Sequence, residues 1–229
     1  MTATIYDTPD DALDGITDGV RVMFGGFSGA GAPTNLIRAL RRRGTRGITG
    51  IANNIGYGDF LVELCEDGQL AGMICTFATR ASVALRSRFD EQLARGEVTL
   101  ELTPQGTFAE RIRAGGGGLG GVLTRSGLGT PVAEGKTTIE VDGETYLLER
   151  PLRADVAMIR AQRADRLGNL EYRGAARNFN PVMATAADLV IVEVDEIVEV
   201  GAIDPERVGT PAVFVDRIMQ CPRIPVPFR

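Results

Sequence analysis

The sequence predicts an open α/β fold: a mainly parallel sheet with helices on both faces, plus a small β annex. Three observations carry that prediction. Short apolar runs alternate with helix-like stretches from Val20 to Ala114, the pattern of βαβ units joined by right-handed crossovers. A second group of apolar runs begins at Ala154. Between the two groups, "TTIEVDGETYLLE" has the alternation of a hairpin and no room for a helix. The 229 residues can bury a full core, and no linker or repeat interrupts them, so residues 1–229 read as one domain.

The elements follow in order. "VRVMFGG", "RGITGIAN", "LAGMICTFA" and "EVTLELTP" read as short buried strands. Between them, "TNLIRALRRR", "DFLVELCEDG" and "ASVALRSRFDEQLARG" read as helices. In the last, Val83, Leu85, Phe89 and Leu93 fall near helical spacing and Gly96 closes the run. In "TPQGTFAERIRAGGGG", Thr107 and Glu110 have capping-box spacing for a helix that ends near Ala114. The glycines from Gly115 to Gly121 stop it. Asp142-Gly143 supplies the type I′ turn of the hairpin. "ADVAMIRAQRAD", "GNLEYRG" and "DLVIVEVDEIVEVG" then read as strands, with a helix at "NPVMATAA". In "VEVDEIVEVGAIDPE" carboxylates alternate with Val and Ile, the pattern of a strand with one wet face. The proline-rich tail "CPRIPVPFR" is expected to run over the surface.

Composition narrows the chemistry. A net charge of −5 argues against a nucleic-acid partner. The five arginines of "RALRRRGTR", Arg38 to Arg46, fit a solvated helix end near the negative pole of its dipole. An anion such as a nucleotide phosphate is the alternative. No apolar run has the length of a membrane span, and "MTATIYDTPDDALDGITDG" lacks the layout of a signal peptide. The expectation is a cytoplasmic protein with no membrane association. Cys65, Cys75 and Cys221 form no CxxC pair, and Cys65 and Cys75 sit in apolar runs as buried thiols do. The chain has no histidine at all, which removes a Ser-His-Asp triad, a Cys-His pair and HExxH zinc chemistry. No metal site is expected.

The candidate site gathers at strand ends. "GGFSGAGAP", residues 25–33, ends a strand and opens a helix, with Pro33 near the first turn. In open α/β sheets ligands sit at that rim, against helix N-termini that accept anions. Glycines there let a phosphate or acyl group reach backbone N–H groups; the competing reading is a tight turn with close packing. Asn53 and Asn54 close the second strand and Gln105 follows the fourth. Such amides can hydrogen-bond a developing oxyanion without titrating, although Asn and Gly also serve plain turns. Two nucleotide-like motifs fail. "GTPVAEGKT" has the wrong spacing for a P-loop and precedes a hairpin, and "GGGGLG" follows a helix where a strand is required.

"DGVRVMFGGFSGAGAP" resembles the first signature of the family I CoA-transferases at every fixed position: Asp18, Gly19, Gly25, Gly26, Phe27, Gly31 and Pro33. "IANN", "LTPQGTFAERIRAGGGG", "GTPVAEGK", "LERPLRADVAMIRAQRADRLGNLEYRGAARNFNP" and "VEVDEIVEVGAIDPERVGTP" resemble that family's A (alpha) subunit, in order and over nearly the whole chain. The resemblance implies transfer of CoA from an acyl-CoA to a free carboxylic acid by ping-pong chemistry through a glutamyl-CoA thioester. It implies no permanently bound cofactor, the coenzyme A thioester being a substrate. The family's nucleophilic glutamate belongs to a Ser-Glu-Asn-Gly motif of the B (beta) half. That motif is absent from this chain, so a partner B subunit, in a heterotetramer, is expected to carry it. By the same resemblance Gly25, Gly26, Phe27, Ser28, Gly29, Ala30 and Gly31 form the CoA-binding loop, with Asn53 and Gln105 beside the partner's glutamate.

"TFATRASVAL", residues 76–85, departs from the family's usual "SYVGEN", which leaves the acid substrate open. "EGKTTIEVDGETYLLERPLRAD" is similar to acetate/acetoacetate and 3-oxoadipate transferase subunits. The alternative reading is a sugar-phosphate isomerase-like or CoA-ester-binding domain that works without a B subunit.

Overall fold

In a computed structural model the structure describes residues 2–55, 60–78 and 88–224. The chain starts with β1 (Thr4–Tyr6) and α1 (Pro9–Ala12). It then alternates β2 (Arg21–Phe24), α2 (Thr34–Arg43), β3 (Ile48–Asn54), α3 (Leu61–Glu66), β4 (Leu70–Phe77), α4 (Arg88–Ala94) and β5 (Thr99–Leu102). The helix α5 (Gln105–Gly116) leads into the hairpin region, β6 (Val122–Thr124), β7 (Thr138–Val141) and β8 (Glu144–Glu149). The chain returns to the main sheet through β9 (Ala154–Asp165), β10 (Leu170–Glu171), α6 (Asn180–Ala184), β11 (Ala187–Val198) and β12 (Arg217–Gln220).

The main sheet runs β1-β12-β11-β9-β2-β3-β4-β5, parallel throughout, with the short β10 antiparallel to β9. From β2 the chain steps outward to β5; from β9 it steps the other way. The order therefore reverses between β2 and β9, where an open sheet leaves a crevice at its carboxyl edge. Gly25, the first residue beyond β2, lies at that point and donates its N–H to Met158 O at 2.9 Å.

Strands covered on both faces are apolar on both faces. Val22, Phe24, Val156 and Met158 join the core beneath α1, α2, α3 and α4. Met23, Ile51, Ala157 and Ile159 join the core beneath α5 and α6. The annex is a three-stranded antiparallel sheet, β6-β8-β7. Its hairpin turns at Asp142 (φ 52°) and Gly143 (φ 80°), as a type I′ turn requires.

Two expectations need correction, the capping box and the wet face of the acidic strand. The capping box at Thr107 and Glu110 does not form: Pro104 is the N-cap, and the Thr107 hydroxyl is buried with no partner. α5 does end within the glycine cluster, at Gly116 with Gly117 as its C-cap, and Leu152 O and the Thr185 hydroxyl leave no room for a Cβ at Gly115 and Gly116. The acidic strand β11 has no wet face along its middle, since Glu193 is fully buried between Val192 and Val194. Val83 and Leu85, expected in the fourth helix, lie outside the described residues, as do the segment 79–87 and the end of the tail. The five-arginine run is an ion-paired helix end: Arg41 meets Glu63 and Asp67, Arg42 meets Asp10 and Arg43 meets Asp14. Cys65, Cys75 and Cys221 are all buried and outside any disulfide.

Candidate active site

The residues proposed from strand ends meet in space. Gln105, the first residue of α5, donates from Nε2 to Asn53 Oδ1 at 2.9 Å. Asn53 passes the chain on, donating from Nδ2 to Asn54 Oδ1 at 3.2 Å. The Ser28 N–H donates to the same Asn54 oxygen at 3.0 Å. One run of hydrogen bonds therefore joins the loop after β2, the end of β3 and the start of α5. Asn53 and Asn54 are buried, and Gln105 is half-buried.

The loop is itself a miniature hairpin. Phe27 and Ala30 exchange N–H···O bonds of 3.0 and 2.9 Å around Ser28 (φ 46°) and Gly29 (φ 82°), a type I′ geometry. Phe27 is left 39% exposed at the tip. Beside it lies a cleft of about 900 Å³ whose walls include Gln105, Phe179, Val182 and Phe214, with Arg113 and Arg177 as its cations.

At Gly25, Gly26 and Gly31 the structure meets the competing reading of the glycines, a tight turn with close packing. A Cβ on Gly25 would lie 1.8 Å from Asn180 Oδ1, and one on Gly31 would lie 2.6 Å from Ala176 O. Gly26 holds φ 110°, and its Cβ would press Ala32 Cα at 2.9 Å. What approaches this backbone so closely is the chain's own Asn180, Ala176 and Ala32.

The N-terminus of α2 is also not open to a ligand anion. Glu193 reaches it from β11, and its Oε2 accepts the N–H groups of Asn35 and Leu36 at 2.9 and 3.0 Å. An internal carboxylate thus takes the place at the helix dipole expected for a phosphate. Arg160 bridges Glu193 and Asp195. Burial pushes the Glu193 carboxyl up, opposed by Arg160, the Leu36 N–H and the Asn35 side chain. Burial, with Glu193 adding to it, pushes the nearby Cys221 thiol up to about 11, so no thiolate forms there at neutral pH.

Sequence reasoning missed Asn180, Asn178 and Glu193. Asn178 Nδ2 donates to Ala30 O at 2.8 Å, and Asn180 Nδ2 donates to Gly31 O at 3.1 Å. The half-buried Asn178 and the buried Asn180 stood in "RNFNP" and the buried Glu193 in "VEVDE", where an acidic residue inside an apolar run was the available signal.

The family model "Coenzyme A transferase" matches residues 6–220. The chain belongs to the coenzyme A transferase family. It is 46% identical to the A subunit of 3-oxoadipate CoA-transferase from Pseudomonas putida, over 96% of this chain and 94% of that protein. It is 45% identical to the alpha subunit of acetate CoA-transferase from Escherichia coli K12, over 93% and 92%. Among solved structures, glutaconate coenzyme A-transferase of Acidaminococcus fermentans has the same fold, with TM-score 0.83 and 22% identity over 96% of this chain and 76% of that one. This CoA-transferase chain spans 47% of an acyl-CoA transferase from E. coli O157:H7 (TM-score 0.82, 20% identity, 96% of this chain covered). No described helix is long and apolar enough to cross a membrane, and no described cluster of side chains has metal-ligand character.

Proposed function

We propose that this chain is the A subunit of a CoA-transferase, acting with a B subunit that carries the nucleophilic glutamate. One observation carries the reading. Among the described residues, the amide chain and the cleft beside it hold binders and the hydroxyls of Ser28, Thr185 and Thr210, but no carboxylate, thiol or amine to attack or to activate those hydroxyls. The cleft walls contain no Asp, Glu, Cys or Lys, the loop pocket contains none either, and the protein has no histidine. An acyl transfer site built of Gln105, Asn53 and backbone N–H groups needs its nucleophile from elsewhere.

In this reading the partner's carboxylate attacks the thioester carbonyl. The C–S bond breaks, CoA leaves as the thiolate, and an acyl-glutamyl anhydride remains. The thiolate attacks the glutamyl carbonyl, freeing the first carboxylate and leaving a glutamyl-CoA thioester. The acceptor carboxylate then reverses both steps. Each attack puts negative charge on a carbonyl oxygen, and a preorganised amide donor such as Gln105 stabilises it. Phe27 and the apolar cleft keep water from the anhydride. The substrates we infer are short-chain or 3-oxo acids of the acetate/acetoacetate or 3-oxoadipate type, a reading supported by the names of two relatives, a 3-oxoadipate and an acetate CoA-transferase. A heterotetramer in the cytoplasm fits this reading.

The family match leaves the isomerase-like alternative without support. The test is native mass spectrometry of the tagged chain purified from its own host, followed by assay with acetoacetyl-CoA and 3-oxoadipate. A second chain bearing Ser-Glu-Asn-Gly, with transfer only in its presence, is the expected result. A lone homo-oligomer that turns over substrate contradicts it.

A further inference from the structure

We infer that Asn180 is a positioning residue of the transfer site, holding the 25–31 loop in register so that Ser28, Asn54, Asn53 and Gln105 stay in line. The inference rests on the proposed function above for the reaction it affects, but on geometry alone for what Asn180 does.

Asn180 is fully buried at the first turn of α6, at the point between β2 and β9 where the sheet order reverses. Its amide is used at both ends. Oδ1 accepts the Arg160 N–H of β9 at 3.1 Å. Nδ2 donates to Gly31 O at 3.1 Å and to Ala176 O at 2.8 Å. The same Oδ1 occupies the space where a Cβ on Gly25 would stand. One side chain therefore touches the loop where it leaves β2 and where it enters α2. Between those two points the loop presents the Ser28 N–H to Asn54, and Asn54 is bonded to Asn53, which is bonded to Gln105. Asn178 adds a bond to Ala30 O, from the same turn before α6.

The cost of losing this grip exceeds the loss of one hydrogen bond. A buried amide that fills space, donates twice and accepts once has no apolar equivalent. The loop carries four positive φ values, at Gly26, Ser28, Gly29 and Gly31, conformations that persist only where surrounding contacts determine them. Without Asn180 the turn relaxes and the Ser28 N–H leaves Asn54. A displacement of about 1 Å at a transfer site costs up to 10²-fold in rate.

The experiment uses the A:B complex with Asn180→Asp, which keeps the acceptor for Arg160 but sets a carboxylate against Gly31 O and Ala176 O. Asn180→Ser serves if the aspartate variant does not fold. Three readouts are taken: steady-state transfer, hydrogen exchange of the peptide spanning residues 25–31, and the double variant with Asn54→Ala. A core change on the opposite face, Leu13→Ala, is the control for general destabilisation. The expected result is a drop of about 10- to 100-fold in kcat, with KM within about twofold, faster exchange in 25–31, and no further loss on adding Asn54→Ala. Leu13→Ala lowers Tm but leaves both kcat and exchange in 25–31 as in the wild type. Wild-type protection of 25–31 in the Asn180 variant overturns the inference, whether or not the complex transfers CoA. So does fast exchange with wild-type kcat, or a kcat loss that Leu13→Ala reproduces. If the wild-type complex itself shows no transfer, the functional reading fails, and the exchange result still decides what Asn180 holds.

Discussion

Two glycine-rich regions, 25–31 and 115–121, look alike in the sequence and do different work. In both, several of the glycines are required by this chain's own atoms. Gly25 and Gly31 make room for Asn180 and Ala176, while Gly115 and Gly116 make room for Leu152 O and the Thr185 hydroxyl at 2.0 and 2.2 Å. Only the first region is tied by hydrogen bonds to the amides of Asn53 and Gln105. The second packs α5 against the segment before β9 and the C-terminal end of α6. The lesson is that glycine density reports close approach and leaves its purpose open; the polar side chains that meet the loop decide its role.

The contrast can be broken or sharpened by substitution. The 25–31 loop is followed by a helix whose N-terminus sits on a buried charge, and the 115–121 cluster has no such foundation. Glu193→Ala leaves two α2 N–H groups unpartnered and Arg160 with Asp195 alone, and it should cost about 3–5 kcal/mol in urea unfolding. A loss below about 1 kcal/mol would show that the carboxylate does not anchor α2.

Next in size is the chemistry. Gln105→Ala in the A:B complex should slow turnover by a factor of about 10²–10³, the effect of removing one oxyanion donor, while stability changes by about 1 kcal/mol. Unchanged turnover places the donor elsewhere.

Gly25→Ala and Gly115→Ala compare the two regions directly. Each forces a Cβ into occupied space and should destabilise by about 1–3 kcal/mol. Transfer by the folded protein should fall only for Gly25→Ala. Equal loss of activity in both would erase the distinction.

The smallest effect belongs to the far end of α2. Arg41 holds the Asp67 carboxyl below the usual carboxylate range through its hydrogen bond, against a small desolvation effect. That contribution is present at neutral pH and fades as the pH drops through the lowered value. Both groups reach solvent, so Asp67→Asn should shift Tm barely above error at neutral pH and not at all in strong acid. A large shift would mean that the surface end of α2 matters as much as the buried one.

Much of this was legible in the residues. The helix 34–43 and the strand 154–165 were readable because long periodic or apolar runs leave little choice. The short strands Thr4–Tyr6 and Arg217–Gln220 were not, since three or four residues carry no period and acquire their state by pairing Thr4 with Arg217 across the whole chain. At the site, Asn53 and Gln105 were visible because strand ends are. Asn180 and Glu193 were hidden because their partners lie 149 and 157 residues away at Gly31 and Leu36, and no local pattern encodes that distance.

The central claim is that this chain supplies the walls of a transfer site and its partner supplies the nucleophile. Intact-protein mass spectrometry tests it most directly, on the complex incubated with acyl-CoA and no acceptor acid. The account predicts a CoA adduct on the partner chain and none on this one; an adduct on this chain would contradict it.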